Sequence, residues 1–390
     1  MPASLYVHIP FCIRRCIYCD FVSGVYDSKK AEEYLDALKK EILYIPPDTQ
    51  ISSLYIGGGT PSVLSADALT DLIIYILNHF YFIENYESTI EANPKTADRE
   101  KLGVIRSLGT NRISIGAQSF NDSELACLGR LHSSLEAEQA VCMAGESGYK
   151  NIGIDLIYGI PGQDIDSWRK TLQRTVSLKP KHISTYELTA EQGTLLYELI
   201  KTKKLKPVEE EKIIEMYNYA IDYLNAEGFL HYEISNFAIP GYECRHNLNY
   251  WNRGEYYGAG LGAHSFTGGK RFFNTDKLGD YIRVLSENKS PVMESENING
   301  DKALSEAIFL GLRKTRGIDL VNMSESHGRD VLTKYKKEVE ELQREGLIEI
   351  YSSSQSSGTS RSDCCKDSSS YIRLTRKGFL LSNEVFARFI

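Results

Sequence analysis

The sequence lacks two features that would direct a protein to a membrane or to nucleic acid. No window approaches the ~18 consecutive apolar residues of a membrane-spanning helix. Basic residues are not in excess, since 45 Lys and Arg stand against 52 Asp and Glu and the formal net charge is −7. We therefore expect no nucleic-acid partner, and peripheral membrane contact is not indicated.

The N-terminal segment also lacks the marks of a targeting peptide. It has neither a basic stretch nor a long apolar core, so we expect no signal or transit peptide and a cytoplasmic location. In that reducing compartment the eight cysteines are not expected to form a disulfide framework. With 390 residues, of which 42% are hydrophobic and 25% charged, the chain is long enough for two or three globular domains.

A βα alternation occupies the first half of the chain. Short β-branched runs are each followed by a polar or glycine turn and then by helical periodicity. The strand candidates are 4–9, 52–56, 88–91, 112–115, 151–157 and 182–188, and the helix candidates are 30–43, 66–78, 97–107, 135–147 and 165–177. This α/β pattern predicts a partial (β/α)6 barrel over 1–230, with its chemistry at the C-terminal ends of the strands.

The pattern changes beyond this region. The predicted elements are a helix at 208–227, an aromatic and glycine-rich extension at 231–295, helices at 302–314 and 329–345, strands at 347–350 and 371–374, and a final helix at 376–389. The helices and the two strands from residue 302 onwards predict a winged-helix-like domain over 296–390. Its basic and acidic residues are nearly balanced, so DNA binding is not indicated. The Ser-rich stretch 352–370 is expected to be a disordered loop, in which Cys364 and Cys365 are poor metal ligands.

Three of the cysteines, Cys12, Cys16 and Cys19, lie within eight residues. This spacing lets one loop wrap three thiolates around a compact metal centre, either an iron–sulfur cluster or zinc. A structural zinc site needs a fourth ligand, and only His8 is near enough in sequence to supply it. A four-iron cluster on three thiolates would keep one iron open for catalysis. Both alternatives are compatible with the spacing.

The Cys-x3-Cys-x2-Cys motif, with an aromatic before its last cysteine, resembles the signature of the radical-SAM superfamily. This resemblance implies a [4Fe–4S] cluster on Cys12, Cys16 and Cys19, with S-adenosylmethionine on the open iron. An electron from the cluster, supplied by a reductant, would cleave the sulfonium to methionine and a 5′-deoxyadenosyl radical. An enclosing barrel makes physical sense, because solvent would quench such a radical.

Further blocks resemble the oxygen-independent coproporphyrinogen III oxidase group of that superfamily. They are Gly-Gly-Gly-Thr-Pro at 57–61, Glu-Ala-Asn-Pro at 91–94, and the segments 112–120, 128–132 and 155–163. By this resemblance, S-adenosylmethionine is expected to contact Tyr6, Tyr18, Gly59, Thr60, Glu91, Gln118, Arg130 and Asp155. The chemistry agrees, since carboxylates accept ribose hydroxyls and an arginine pairs with a carboxylate. The three glycines are interpreted as a close approach of the backbone to a ligand, and they are not part of a phosphate-binding P-loop.

Two features favour the HemW-type haem chaperones over the oxidase itself. Two residues beyond the third cysteine, the oxidase carries a further cysteine, where this chain has Phe21. The oxidase also has an extension ahead of the motif, whereas this chain begins with the first predicted strand. In addition, His-Asn-Leu-Asn-Tyr-Trp at 246–251 resembles the His-Asn-x-x-Tyr-Trp haem motif of the chaperones. This resemblance implies His246 as an axial haem ligand, while Cys244 is better explained as a small buried residue.

The function implied by this resemblance is that of a haem chaperone. It would bind a [4Fe–4S] cluster, S-adenosylmethionine and haem, and pass haem to client proteins of the respiratory chain. The alternative is the oxidase reaction, radical-SAM oxidative decarboxylation of coproporphyrinogen III in porphyrin biosynthesis. No residue is assigned a catalytic role with certainty.

Overall fold

The computed structural model describes residues 2–352 and 370–390, which form two compact units. The first unit comprises Met1–Leu230, Ser235–His246 and Glu255–Glu296, and the second comprises His231–Ile234, Asn247–Gly254 and Asn297–Ile390. The predicted extension 231–295 is thus divided between the two units. Within the described part of the chain, no helix is both long enough and apolar enough to cross a membrane.

The predicted βα repeat is present in the first unit. Its elements up to residue 226 are β1 (Ala3–Ile9), β2 (Phe11–Cys12), β3 (Gly24–Val25), α1 (Ser28–Ile42), β4 (Gln50–Gly58), α2 (Ala66–His79), β5 (Tyr81–Ala92), α3 (Arg99–Ser107), β6 (Arg112–Gln118), α4 (Asp122–Cys127), α5 (Ser134–Glu146), β7 (Asn151–Tyr158), α6 (Ile165–Ser177), β8 (His182–Glu187), α7 (Leu195–Lys201) and α8 (Glu210–Ala226). Strands β1, β4, β5, β6, β7 and β8 pair in parallel in that order. This arrangement confirms the predicted α/β class and partial barrel.

The barrel helices begin at side-chain caps that the sequence supplies. Asp27, Ser65, Asp98, Ser133 and Asp164 each accept a hydrogen bond from a backbone N–H in the first turn of the helix that follows. These caps satisfy backbone donors that a helix leaves without partners. The helix boundaries therefore lie within a few residues of those that the periodicity predicts.

The aromatic and glycine-rich extension contributes short strands that the sequence did not predict. The next elements are β9 (Leu230–Glu233), β10 (Asn236–Ala238), α9 (Arg245–Trp251), β11 (Tyr256–Ala259), β12 (His264–Thr267), β13 (Lys270–Asn274), α10 (Leu278–Ser286) and β14 (Val292–Asn297). Strand β11 pairs in parallel with β1 and continues antiparallel to β12 and β13, while β10 pairs antiparallel with β8. The sheet of the barrel therefore extends beyond the six predicted strands on both sides.

Polar side chains alternate with apolar ones along the barrel strands. Leu5, Leu54, Ile113, Ile154 and Ile183 are fully buried apolar residues on one face of the sheet. Their neighbours on the other face are polar and equally buried: Ser4, Ser53, Glu87, Arg112, Ser114, His182 and Ser184. The interior of many parallel barrels is filled by Val, Ile and Leu, so the polar interior found here is unusual. Because buried polar groups need hydrogen-bond partners, these side chains are expected to form a hydrogen-bond network.

The second unit contains a small domain at the C-terminal end of the chain. Its elements are α11 (Gly300–Leu312), β15 (Ile318–Asp319), α12 (Leu320–His327), α13 (Val331–Lys334), α14 (Lys336–Arg344), β16 (Ile348–Ser352), β17 (Ser370–Leu374), α15 (Arg376–Leu380) and α16 (Ser382–Ala387). The three strands form an antiparallel sheet, β15-β17-β16, against a core that includes Leu304, Ile308 and Ile372. The winged-helix-like prediction is consistent with this arrangement.

Two details of this domain differ from the prediction. The helix expected at 329–345 is interrupted at Tyr335, whose ring packs 5.3 Å from that of Phe389, and the final helix is interrupted at Leu381. Tertiary packing overrides the helical pattern at Tyr335. The predicted Ser-rich loop has its ends, Ser352 and Ser370, paired in β16 and β17, and its residues 353–369, with Cys364 and Cys365, lie outside the described residues.

Candidate functional site

A cavity of about 440 Å³ lies at the C-terminal ends of the parallel strands. All three clustered cysteines line it. So do seven of the eight residues expected to contact S-adenosylmethionine: Tyr18, Gly59, Thr60, Glu91, Gln118, Arg130 and Asp155. The eighth, Tyr6, and the expected haem ligand His246 lie beneath this cavity in the polar interior. Residues far apart in sequence thus converge at the end of the barrel where chemistry is expected.

The cysteine loop is held by backbone hydrogen bonds at both ends. Cys12 ends the short strand β2, which pairs in parallel with β3 beyond the loop. In the middle of the loop, the N–H of Ile17 donates to the carbonyl of Leu128 (3.3 Å), and the carbonyl of Ile17 accepts from Leu196 (2.8 Å). The loop is therefore anchored to the end of α4 and to the start of α7.

Two of the cysteine sulfurs accept hydrogen bonds from the cavity wall. Thr60 Oγ1 donates to Cys12 Sγ at 3.4 Å, and Arg130 Nη1 donates to Cys16 Sγ at 3.4 Å. Burial raises the pKa of the Cys12 and Cys19 thiols. Thiolates at these positions would therefore gain from the positive charge of a metal centre.

The donor set fits a polynuclear cluster better than a zinc ion. A zinc site gathers its ligands within about 2.3 Å of one ion. Across residues 2–352 and 370–390, no three His, Cys, Asp or Glu side chains lie close enough to share one ion, whereas in a four-iron cluster each thiolate binds its own iron. The possible fourth zinc ligand, His8, is directed elsewhere, with Nδ1 3.0 Å from the Tyr6 hydroxyl and Nε2 2.8 Å from the carbonyl of Val22.

Two of the three glycines at the end of β4, Gly58 and Gly59, are explained by contacts within the protein. Gly58 has a φ of +110°, and a Cβ there would lie 2.4 Å from the His8 ring. At Gly59 a Cβ would lie within 2.9 Å of the carbonyl oxygens of Ile9 and Phe11. The chain at the end of β4 therefore needs glycine to pass close to β1 and β2, which is a structural requirement that the ligand interpretation of the sequence did not include.

Two half-buried carboxylates, Glu91 and Asp155, form part of the cavity wall. Glu91 Oε1 accepts a hydrogen bond from the Tyr55 hydroxyl at 2.8 Å, and Oε2 accepts from the N–H of Gly58 at 3.0 Å. Burial, with the nearby charge of Asp155, raises the pKa of Glu91 to about 7. Burial also raises the pKa of Asp155, whose oxygens accept from Ser114 Oγ at 2.9 and 3.2 Å. Both groups are positioned to accept hydroxyl donors from a ligand.

Gln118 and Arg130 meet at the end of β6. Gln118 has a φ of +67°, in the left-handed region that non-glycine residues seldom occupy, and the pairing of β6 with β7 shifts between Gly116 and Gln118. Arg130 Nη2 donates to the carbonyl of Gly116 at 2.7 Å. Backbone strain of this kind typically costs about 1–3 kcal/mol and is concentrated at ligand sites.

His246 lies in the polar interior, at the first turn of α9. Its side chain is buried (1% exposed), Nδ1 lies 2.8 Å from Ser53 Oγ, and the ring centroid lies 5.1 Å from that of Tyr55. Burial and the charge of Arg112 lower the pKa of His246 to about 3, so the imidazole is neutral. A neutral imidazole is the form that binds iron.

A buried carboxylate on β5 holds the start of α9 in this position. The N–H groups of Arg245 and His246 each donate to Glu87 at 3.1 Å, and the Cys244 thiol lies 3.5 Å from the same carboxylate. Cys244 is fully buried, as the sequence interpretation expects. Glu87 of β5 therefore caps the start of α9, and His246 is held by its backbone N–H as well as by its ring.

Sequence reasoning missed several residues that build the site. Tyr55, Ser53 and Ser114 support Glu91, His246 and Asp155, but each role depends on which strands are neighbours and in what register. The signal available in the sequence was the alternation of polar and apolar residues along the strands, which marks a polar barrel interior.

Comparisons with known proteins agree with this geometry. A family model described as "Radical SAM superfamily" matches residues 6–175, and one described as "HemN C-terminal domain" matches residues 298–353. "Heme chaperone HemW" of Bacillus subtilis is 34% identical over 393 residues and covers 99% of each chain. The protein of the same name from Lactococcus lactis is 34% identical over 389 residues, or 100% of this chain and 97% of that one.

The chain belongs to the HemW family of the radical SAM superfamily. A protein of that name from Escherichia coli is 36% identical over 270 residues and covers 67% of this chain and 70% of its own. Among solved structures, coproporphyrinogen III oxidase (HemN) from Escherichia coli has a TM-score of 0.83 over 100% of this chain and 90% of that one, with 24% identity. The likeness to HemN confirms the fold, and superfamily membership implies a [4Fe–4S] cluster and S-adenosylmethionine.

Proposed function

We propose that the protein is a haem chaperone which holds a [4Fe–4S] cluster and S-adenosylmethionine in the barrel and transfers haem to respiratory haemoproteins. The observation that carries this proposal is full-length similarity to heme chaperones, 34% identity over 99% of both chains in one case. Phe21 supports the choice against the oxidase, because its exposed ring lines the cavity at the position where the oxidase is expected to have a further cysteine.

The cluster would be held by Cys12, Cys16 and Cys19. When bound, it supplies single-electron chemistry towards S-adenosylmethionine, for which an external reductant is required. The chain itself supplies a cavity with two carboxylates, Glu91 and Asp155, that can accept ribose hydroxyls. Gly59, Thr60, Gln118, Arg130 and Tyr18 would complete this site, with Tyr6 supporting it from beneath.

We propose His246 as the axial haem ligand. In the arrangement described above, its ring is enclosed by Ser53, Tyr55 and Tyr6, so a porphyrin reaches the imidazole only after the first turn of α9 leaves the barrel. The energetic cost of that step includes the hydrogen bonds to Ser53 and Glu87. A haem site that must open suits a protein that accepts haem and then releases it.

An anaerobic preparation of the full chain tests these proposals. Reconstitution with iron and sulfide, followed by iron analysis and haem titration, is expected to give a brown protein that binds haem. A colourless protein without iron after this treatment would contradict the cluster. Turnover of coproporphyrinogen III with reductant and S-adenosylmethionine, measured on the same sample, would establish the oxidase alternative instead.

A further inference from the structure

Two side chains from outside the cysteine loop donate hydrogen bonds to sulfurs within it. Thr60, beyond the end of β4, donates to Cys12 Sγ, and Arg130, in the connection between α4 and α5, donates to Cys16 Sγ, both at 3.4 Å. Such distances are ordinary for sulfur acceptors, whose large radius lengthens the contact. The two donors thus form hydrogen bonds to two different cysteine ligands of the proposed cluster.

Both donors are held by the barrel. The N–H of Thr60 donates to the carbonyl of Phe11 at 2.8 Å, and its side chain is buried (8% exposed). Arg130 is fixed by its bond to the Gly116 carbonyl at 2.7 Å, and its N–H donates to the carbonyl of Leu125 at 2.9 Å. Donors that are held in place before a charge changes stabilise that charge without a cost of reorganisation.

We propose that Thr60 and Arg130 set the reduction potential of the cluster, an inference that rests on the cluster assigned to Cys12, Cys16 and Cys19 under the proposed function. One-electron reduction adds negative charge that is shared by the cysteine sulfurs. A hydrogen bond to a ligand sulfur stabilises the reduced form more than the oxidised form, and so raises the potential. The cationic guanidinium of Arg130 acts in the same direction and more strongly than the neutral hydroxyl of Thr60.

This role is separate from contact with S-adenosylmethionine, which both residues are also expected to make. The two roles are distinguished by measuring the potential without S-adenosylmethionine, since only the hydrogen bonds to sulfur then remain. Thr60→Val removes the hydroxyl with little change of shape, and Thr60→Ser restores it. Arg130→Met removes the donor and the charge at a similar chain length. Thr267→Val, at the last residue of β12 and away from the cysteines, is the matched control.

The experiment is an anaerobic redox titration of the reconstituted full-length chain, followed by electron paramagnetic resonance of the reduced cluster. Thr60→Val and Arg130→Met are expected to shift the midpoint potential to more negative values, with the larger shift in Arg130→Met. A tenfold change in the reduction equilibrium corresponds to 59 mV. Thr60→Ser and Thr267→Val are expected to match wild type.

Each other outcome has a definite meaning. Midpoint potentials equal to wild type in both Thr60→Val and Arg130→Met would overturn the inference while leaving the cluster in place. If one of these variants holds no iron, the other decides. If both fold but hold no iron, the donors are required for assembly and the tuning role is wrong. Absence of iron in wild type would instead contradict the proposed function.

Discussion

The Tyr55 hydroxyl donates a hydrogen bond to Glu91 Oε1 at 2.8 Å, from a ring that packs on His246. Glu91 lies in the cavity wall and His246 lies below it in the polar interior. The same tyrosine therefore contacts both the expected S-adenosylmethionine site and the expected haem ligand. We therefore expect a substitution of Tyr55 to affect both sites.

Tyr55→Phe is expected to weaken the binding of S-adenosylmethionine to the reconstituted protein. It removes the donor that orients Glu91, and at pH 8, above the raised pKa of about 7 where Glu91 is ionised, a hydrogen bond to such a charged group contributes about 1.5–3 kcal/mol. We expect an affinity loss of about tenfold or more by calorimetry. Tyr81→Phe, at an exposed position of β5, serves as the control and should bind as wild type does. Equal affinity in Tyr55→Phe would show that Glu91 needs no orientation.

Ser53→Ala is expected to increase the affinity for haem. The substitution removes the Nδ1 partner of the buried His246, so the first turn of α9 leaves the barrel at lower cost. A hydrogen bond contributes about 1 kcal/mol, which corresponds to a gain of about fivefold in a haem titration. Ser286→Ala, at the exposed end of α10, is the control. Haem affinity that falls in Ser53→Ala would mean that His246 binds haem, if at all, without leaving its pocket.

The pH dependence of stability should report the buried Glu41. Its carboxylate accepts from Tyr281, from the N–H of Gly260 (2.7 Å) and from Asn274 (2.5 Å), and burial raises its pKa to about 7. Because the folded pKa lies above the unfolded value of about 4.5, this stability is present at low pH. It is lost as the pH rises from about 4.5 through 7, and amounts to about 3 kcal/mol.

Glu41→Gln isolates this contribution. The amide does not titrate, and it presents an N–H group to partners that are themselves donors, so the variant is less stable than wild type at pH 5. Its deficit in thermal midpoint should shrink between pH 5 and pH 8, because only wild type loses the Glu41 contribution over that range, while the other carboxylates titrate alike in both proteins. The exposed Glu287→Gln should show no such trend. A constant deficit would mean that Glu41 is ionised throughout.

Local sequence patterns predicted the six barrel strands and their helices, because β-branched runs, glycine turns and caps act within a few residues of each other. Strand β11 was missed because its partner β1 lies about 250 residues earlier, so no local pattern marks it. The same limit applies to Tyr55 and Ser53, whose roles follow from strand register. Seven of the eight residues that the motifs predicted for S-adenosylmethionine do line one cavity. The burial of His246 depends on tertiary packing, which no sequence motif predicts.

The most direct test of the haem-chaperone account is a haem titration of the anaerobically reconstituted full chain, followed by absorption spectroscopy in wild type and in His246→Ala. The account predicts that wild type binds haem stoichiometrically with the spectrum of a histidine-ligated iron, and that His246→Ala, with its iron–sulfur content unchanged, loses that spectrum. Binding by His246→Ala with wild-type affinity and spectrum would contradict the assignment of the ligand, and absence of haem binding by wild type would contradict the proposed function itself.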